Sequence, residues 1–155
     1  MTTLSQIAAR DLGLQESPKG SNKGPALQKF FDADDLDEKD GYPWCASAVS
    51  YWTQQWIKIN AVKLKAPRIA GVIRFPEWAK KNGLVCTTKP SANSIFLLGT
   101  ASHIGVVESV AKDGSTITTI EGNTNAAGSR EGFEVCRKTR DIDTIKLYIR
   151  LPATA

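Results

Sequence analysis

Apolar residues recur along this chain first at helical spacing and then at strand spacing. Leu4, Ile7, Ala8 and Leu12 fall on one face of a short helix that Gly13 is placed to close. Residues 16–25 are dense in Gly, Pro, Ser and Asn and read as a loop. Pro25 suits the entrance of a second helix that buries Leu27, Phe30 and Phe31. Cys45, Val49, Trp52 and Trp56 share one stripe of a central helix over about 44–59. Lys63, Lys65 and Arg68, with Pro67, form a basic connector. The spacing then predicts a shorter helix over 76–81, ending at Asn82-Gly83. Beyond it the period changes. Residues 84–89 read as a loop or short strand, 90–94 as a turn, and 95–98 as a buried strand. The runs 102–111, 115–121, 132–138 and 145–151 are β-rich. Helices first and strands afterwards predict an α+β fold with an antiparallel sheet.

The turn between the runs 102–111 and 115–121 decides which side chains meet. A two-residue turn at Asp113-Gly114 would pair 112 with 115 and put His103 and Glu121 on opposite faces. A three-residue loop, Lys112-Asp113-Gly114, would be a type I turn with Gly114 left-handed. It pairs 111 with 115, hence His103 with Asn123 and Gly105 with Glu121. Glu121 then lies diagonal to His103, roughly 7–8 Å away between Cα atoms and within side-chain reach. The other face carries Ile104, Val106, Val110 and Ile120, which suits a core. The three-residue loop is therefore the expected one.

Composition narrows the class. The 155 residues, 41% hydrophobic and 23% charged, suit a single domain over 1–155 with a real core. No run approaches the roughly 20 apolar residues of a membrane span, so no membrane insertion is expected. Residues 1–10 lack the basic start and apolar run of a signal peptide. The expectation is synthesis in the cytosol, followed by an exit route that needs none. The net charge of +4 is spread out, with no basic–aromatic stripe to make nucleic acid the expected partner. Three cysteines without a Cys-x-x-Cys pair suggest neither a pure disulfide framework nor a zinc site. The acidic stretch 32–40 lacks the glycine of an EF-hand loop and reads as a solvated loop, so no metal is expected.

Cys45 is the residue with the clearest chemistry. Gly41-Tyr42-Pro43 leads into the central helix and puts Cys45 in its first turn. Unpaired N–H groups and the positive end of the helix dipole favour an anion there, the form in which a cysteine attacks. The chain has one histidine, His103, so any Cys–His mechanism must use it. A Glu or Asn beside the ring would fix its tautomer and steady its charged form, which makes Glu121 and Asn123 candidates. Cys86 follows no helix start and Cys136 lies within a strand, so both are poorer nucleophiles.

The motifs Gly-Tyr-Pro-Trp-Cys45-Ala, His103-Ile-Gly-Val-Val and Ile120-Glu121-Gly-Asn123-Thr-Asn, in this order, resemble the CHAP family, the cysteine, histidine-dependent amidohydrolases/peptidases. Leu12-Gly-Leu-Gln-Glu16 and Ser21-Asn22-Lys-Gly24-Pro25 also resemble its N-terminal region, and the likeness runs from about Leu4 to Leu151. It implies a papain-like α+β fold and hydrolysis of peptidoglycan by amidase or endopeptidase cleavage. Cys45 would be the nucleophile, His103 the base, Glu121 the orienting group and Asn123 a supporting polar residue. Trp44, Tyr42 and Asn22 are the candidates for substrate contact, with Tyr42 and Asn22 also considered as second oxyanion donors. No cofactor is required, and a monomer is expected to act at the bacterial wall after phage-type release or effector secretion. A non-catalytic wall-binding or phage structural protein with the same fold is the alternative. Family members often carry Pro-x-x-Gly-Asp ahead of the strand before the histidine. Here the run is Pro90-Ser-Ala-Asn93-Ser94, with Asn93 able to take the left-handed turn that Gly would allow.

Overall fold

The structure, a computed structural model, describes residues 1–34, 41–124 and 132–153. Helix α1 covers Leu4–Ala9, α2 Gln28–Asp32, α3 Cys45–Ile59 and α4 Phe75–Lys81. Six strands follow: β1 Val85–Thr87, β2 Ser94–Leu98, β3 Ile104–Val110, β4 Thr116–Thr124, β5 Glu134–Asp141 and β6 Ile145–Arg150. They form one sheet in the order β1-β6-β2-β3-β4-β5, and every neighbouring pair is antiparallel. The fold is the α+β arrangement expected, with the cysteine helix packed on the sheet. No helix among the described residues is long and apolar enough to cross a membrane.

Local chemistry explains the helix ends. Thr3 caps α1 reciprocally with Gln6, and the chain turns away before Gly13, which sits at φ +90. The helix therefore stops at Ala9, short of the Leu12 that its pattern suggested; Leu12 still packs against the core. Pro25 opens a 3-10 turn that leads into α2 and buries Leu27, Phe30 and Phe31. Pro76 lies in the first turn of α4, and Gly83, at φ +70, follows its end. Asn93 does adopt the left-handed conformation, at φ +58, and its Oδ1 accepts from the Leu4 N–H at 2.8 Å.

The core lies between helices and sheet. Val49, Trp52 and Trp56 on α3 pack with Ile95, Leu97, Ile104, Val106, Ile120 and Ile149 on one sheet face. The opposite face carries a smaller cluster of Phe96, Val107, Ile117 and Tyr148.

The β3–β4 hairpin departs from the expected turn. Val110 pairs with Ile117, and the Ala111 N–H donates to the Thr116 carbonyl, so the register at the turn is the one assigned above to a two-residue loop. Glu108 is then an extra residue on β3: Val107 pairs with Thr119, but Ser109 with Thr118. This bulge shifts the register by one, so that Val106 pairs with Ile120. Toward the site the register is thus the expected one, reached by a bulge rather than by a three-residue loop. The shift also moves Val110 out of the predicted core face and onto the smaller cluster.

The acidic stretch is only partly described. Asp32 accepts a hydrogen bond from Gln28 at 2.6 Å, and residues 35–40 lie outside the described residues. Among the described residues no group of His, Cys, Asp and Glu is arranged to hold a metal ion.

Candidate active site

Cys45 is the first residue of α3. Gly41, at φ +66, turns the chain, and Trp44 occupies the cap position with no side-chain hydrogen bond to the helix start. The first-turn N–H groups therefore have no side-chain cap, and the helix presents its positive end beside the sulfur. Cys45 is only 3% exposed, but it lines a cleft of about 200 Å³ with Tyr42, Pro43, Val72, Ala101 and Ser102.

His103 stands just ahead of β3, at the end of the sheet, and is buried. That position lets one ring serve two layers. Cys45 starts the helix packed on one face, whereas Glu121 belongs to the other, since a Cβ on Gly105 would meet both Phe96 and the Glu121 side chain. The His103 Nε2 lies 2.7 Å from Glu121 Oε1. A carboxylate only accepts, so Nε2 carries the proton in this bond. Nδ1 has no fully formed hydrogen bond to a described residue, and the Cys45 thiol is the other group acting on the ring.

Glu121 is fully buried and held by more than histidine. Arg140 of β5 donates from Nε to Oε2 and from Nη2 to Oε1, both at 2.6 Å, and the Thr119 hydroxyl donates to Oε2 at 2.5 Å. Burial opposes the carboxylate charge, but the bonds from Arg140 and His103 outweigh it and bring the carboxyl down to about 2. Burial likewise opposes the charged imidazole. Hydrogen bonding and charge from Cys45 and Glu121 overcome it and raise the ring to about 9.

Linkage gives these shifts opposite signs. The raised histidine stabilises the fold fully below its ordinary value of 6.5, and this is lost as pH climbs through about 9. The lowered glutamate contributes above its ordinary 4.5 and is lost as pH falls toward 2. Together they favour the folded state most between pH 4.5 and 6.5. Because His103 is the only histidine, its NMR titration is unambiguous. The midpoint is expected near 9, and lower in Cys45→Ala, which removes two of the raising interactions. A wild-type midpoint below 6.5 would show that burial prevails and that neither partner acts on the ring.

The remaining candidates sit differently. Asn123 is fully buried at φ +56, and neither side-chain Oδ1 nor Nδ2 has a partner among the described residues. It thus makes no hydrogen bond to His103. Trp44, a candidate for substrate contact, is fully buried: it stacks on Phe30 at 5.6 Å, and its Nε1 donates to Glu16 Oε2 at 3.4 Å. It packs the core and offers a substrate no exposed ring. Tyr42 is 38% exposed and does line the cleft. Asn22 ties the 16–25 loop to the approach to α3: its N–H donates to Glu16 Oε1 at 2.8 Å and its Nδ2 to the Gly41 carbonyl at 3.4 Å. Cys86 and Cys136 are free thiols on β1 and β5, at opposite edges of the sheet, and cannot pair.

Arg140 and Thr119 are the members of the site that sequence reasoning missed. Once the β4–β5 register is known they stand out, because Thr119, Glu121 and Arg140 then share one face. The family model for the CHAP domain matches residues 37–123, more than half of the chain. None of the curated proteins compared with the chain matches it.

Proposed function

The chain belongs to the CHAP domain family, and from that premise we propose that it is a cysteine amidohydrolase or peptidase cutting an amide bond in the peptide of bacterial peptidoglycan. The observation that carries the proposal is the single histidine, engaged at once by a helix-tip cysteine and by a buried, ionised glutamate.

In this reading Cys45 Sγ, as thiolate, attacks the scissile carbonyl carbon. The oxygen that becomes negative is met by the Cys45 N–H at the uncapped start of α3. Collapse of the tetrahedral species breaks the C–N bond, and His103 Nδ1–H gives its proton to the leaving amine. The product is a thioester on Cys45 and a neutral imidazole. His103 then takes a proton from water, whose oxygen attacks the thioester and releases the carboxylate product and the thiolate. Glu121 keeps the Nε2 proton in place throughout and transfers none. Arg140 and Thr119 hold Glu121. Tyr42, at the cleft wall, is the side chain best placed to touch the peptide.

The proposal treats residues 1–155 as one catalytic domain, acting as a monomer at the wall after phage-type release or effector secretion. Incubation with purified peptidoglycan and mass analysis of the soluble fragments tests it. Fragments bearing one new amine and one new carboxylate per cut are expected, and their masses identify the bond. A protein that only binds the wall would release nothing.

A further inference from the structure

A larger concavity, of about 570 Å³, lies beside the cleft. Ile69 lines it, and the next residues along the chain, Ala70 to Val72, line the Cys45 cleft, so one run of backbone walls both. Ser50 of α3 holds that run: its hydroxyl donates to the Ile69 carbonyl at 2.8 Å and accepts from the Ile69 N–H at 3.0 Å. Ser50 is five residues beyond Cys45, or about 7.5 Å along the helix. The groove therefore begins within reach of a peptide seated at the sulfur.

Its walls are charged with one sign. Lys65, Arg68, Arg74 and Lys81 line it, and the single acid among the lining residues, Glu77, is engaged by Lys81 at 2.9 Å. Lys65 and Arg74 form no salt bridge with a described residue. Trp78 braces the groove, its Nε1 donating to the Lys65 carbonyl at 2.9 Å. Ile73, the chain neighbour of Arg74, is 71% exposed, a large apolar side chain facing solvent. A concave, braced wall with this excess of cations over carboxylates among its lining residues is suited to an extended peptide that carries a carboxylate.

We infer that this groove is a subsite for a free carboxylate of the peptide whose amide is cut at Cys45, an inference that rests on the peptidoglycan reading above. An extended peptide covers about 3.3–3.6 Å per residue, so the carboxylate belongs about two to four residues from the scissile bond. Arg74 offers it a planar pair of donors and Lys65 a point charge. These contacts are the same in ground and transition states. Their loss raises KM and leaves kcat in place.

The test uses the full chain carrying Cys45→Ala, so that binding is read without turnover. Calorimetry compares a synthetic stem peptide bearing free carboxylates with its amidated counterpart. The free peptide is expected to bind about tenfold more tightly, an advantage that shrinks as salt is raised. Arg74→Gln with Lys65→Gln should erase that advantage. Lys112→Gln, at the other end of β3 from His103, should leave it intact. Equal binding of the two peptides, no binding of either, an advantage that survives the double substitution, or preference for a glycerol-phosphate chain would each overturn the subsite. The two readings fail separately. If the wild-type chain releases nothing from peptidoglycan while the carboxylate preference and its loss persist, the hydrolase reading falls and the subsite stands. If hydrolysis proceeds without the preference, the subsite alone falls.

Discussion

Cys45→Ala is expected to keep the fold and lose hydrolysis, by on the order of 10⁴-fold or more, because in the proposed mechanism every covalent step passes through its sulfur. The side chain is 3% exposed at the first position of α3, and alanine fills most of its space without disturbing the Val49, Trp52 and Trp56 stripe behind it. Circular dichroism and the melting temperature should be close to wild type, so the loss cannot be assigned to unfolding. Alkylation supplies an independent check. Burial pushes the Cys86 thiol up, and it pushes the Cys136 thiol up to about 11, so both stay protonated near neutral pH. Iodoacetamide should then add one group per chain, mapped to Cys45, and activity should fall in step with labelling. Wild-type turnover by the alanine variant would remove Cys45 from the mechanism. Equal labelling of all three thiols would show that His103 does not activate it.

The motifs were legible because several of their letters have separate physical duties. Gly122 must be glycine, since a Cβ there would come within 2.6 Å of the Trp44 ring. Gly105 must be glycine because a Cβ would press on Phe96 and on Glu121 at 2.7–2.8 Å. The helix order and the polar–apolar alternation of the strands could be read for the usual reason: one face of each element is buried. The hairpin turn was misread because its local chemistry fits more than one loop, and a bulge at Glu108 resets the register without any marker such as glycine. Trp44 was misassigned for a different reason. Its place in a motif beside the cysteine says nothing about which layer its ring enters, and Phe30, from a separate helix, decides that. Arg140 was invisible because it lies four strand positions past Cys136, the residue opposite Glu121. Its side chain must reach back along the sheet, and residues 122–132 between Glu121 and β5, rich in Gly, Ala, Asn and Ser, do not dictate that register.

Replacing Glu121 with glutamine should lower the rate by about 10²–10⁴-fold, with His103→Ala at least as damaging and Asn123→Ala less so. The reason lies in the count of donors around the carboxylate. Oε1 receives His103 Nε2 and Arg140 Nη2, while Oε2 receives Arg140 Nε and the Thr119 hydroxyl. An amide can present oxygen at only one of these places. Whichever end its NH₂ group takes, it faces a guanidinium N–H, and in one orientation it also faces the His103 N–H. The hydrogen bond and charge of Glu121, which with those of Cys45 raise the ring, are removed as well, so the imidazolium form becomes scarcer at neutral pH. The substitution also leaves the Arg140 guanidinium, 13% exposed, without its counter-charge, and should cost about 3 kcal/mol of stability. Glutamine, although similar in shape, is therefore not a silent replacement for the fold. A double variant separates the two effects: Arg140→Met in the Glu121→Gln background should restore the melting temperature and leave the rate low. Asn123→Ala removes two buried polar atoms that have no partner among the described residues, so it should change stability little. If Asn123→Ala proved slower than Glu121→Gln, the orienting role would pass to Asn123. If the double variant regained the rate together with stability, Glu121 would be a structural anchor for Arg140 rather than the group that orients His103.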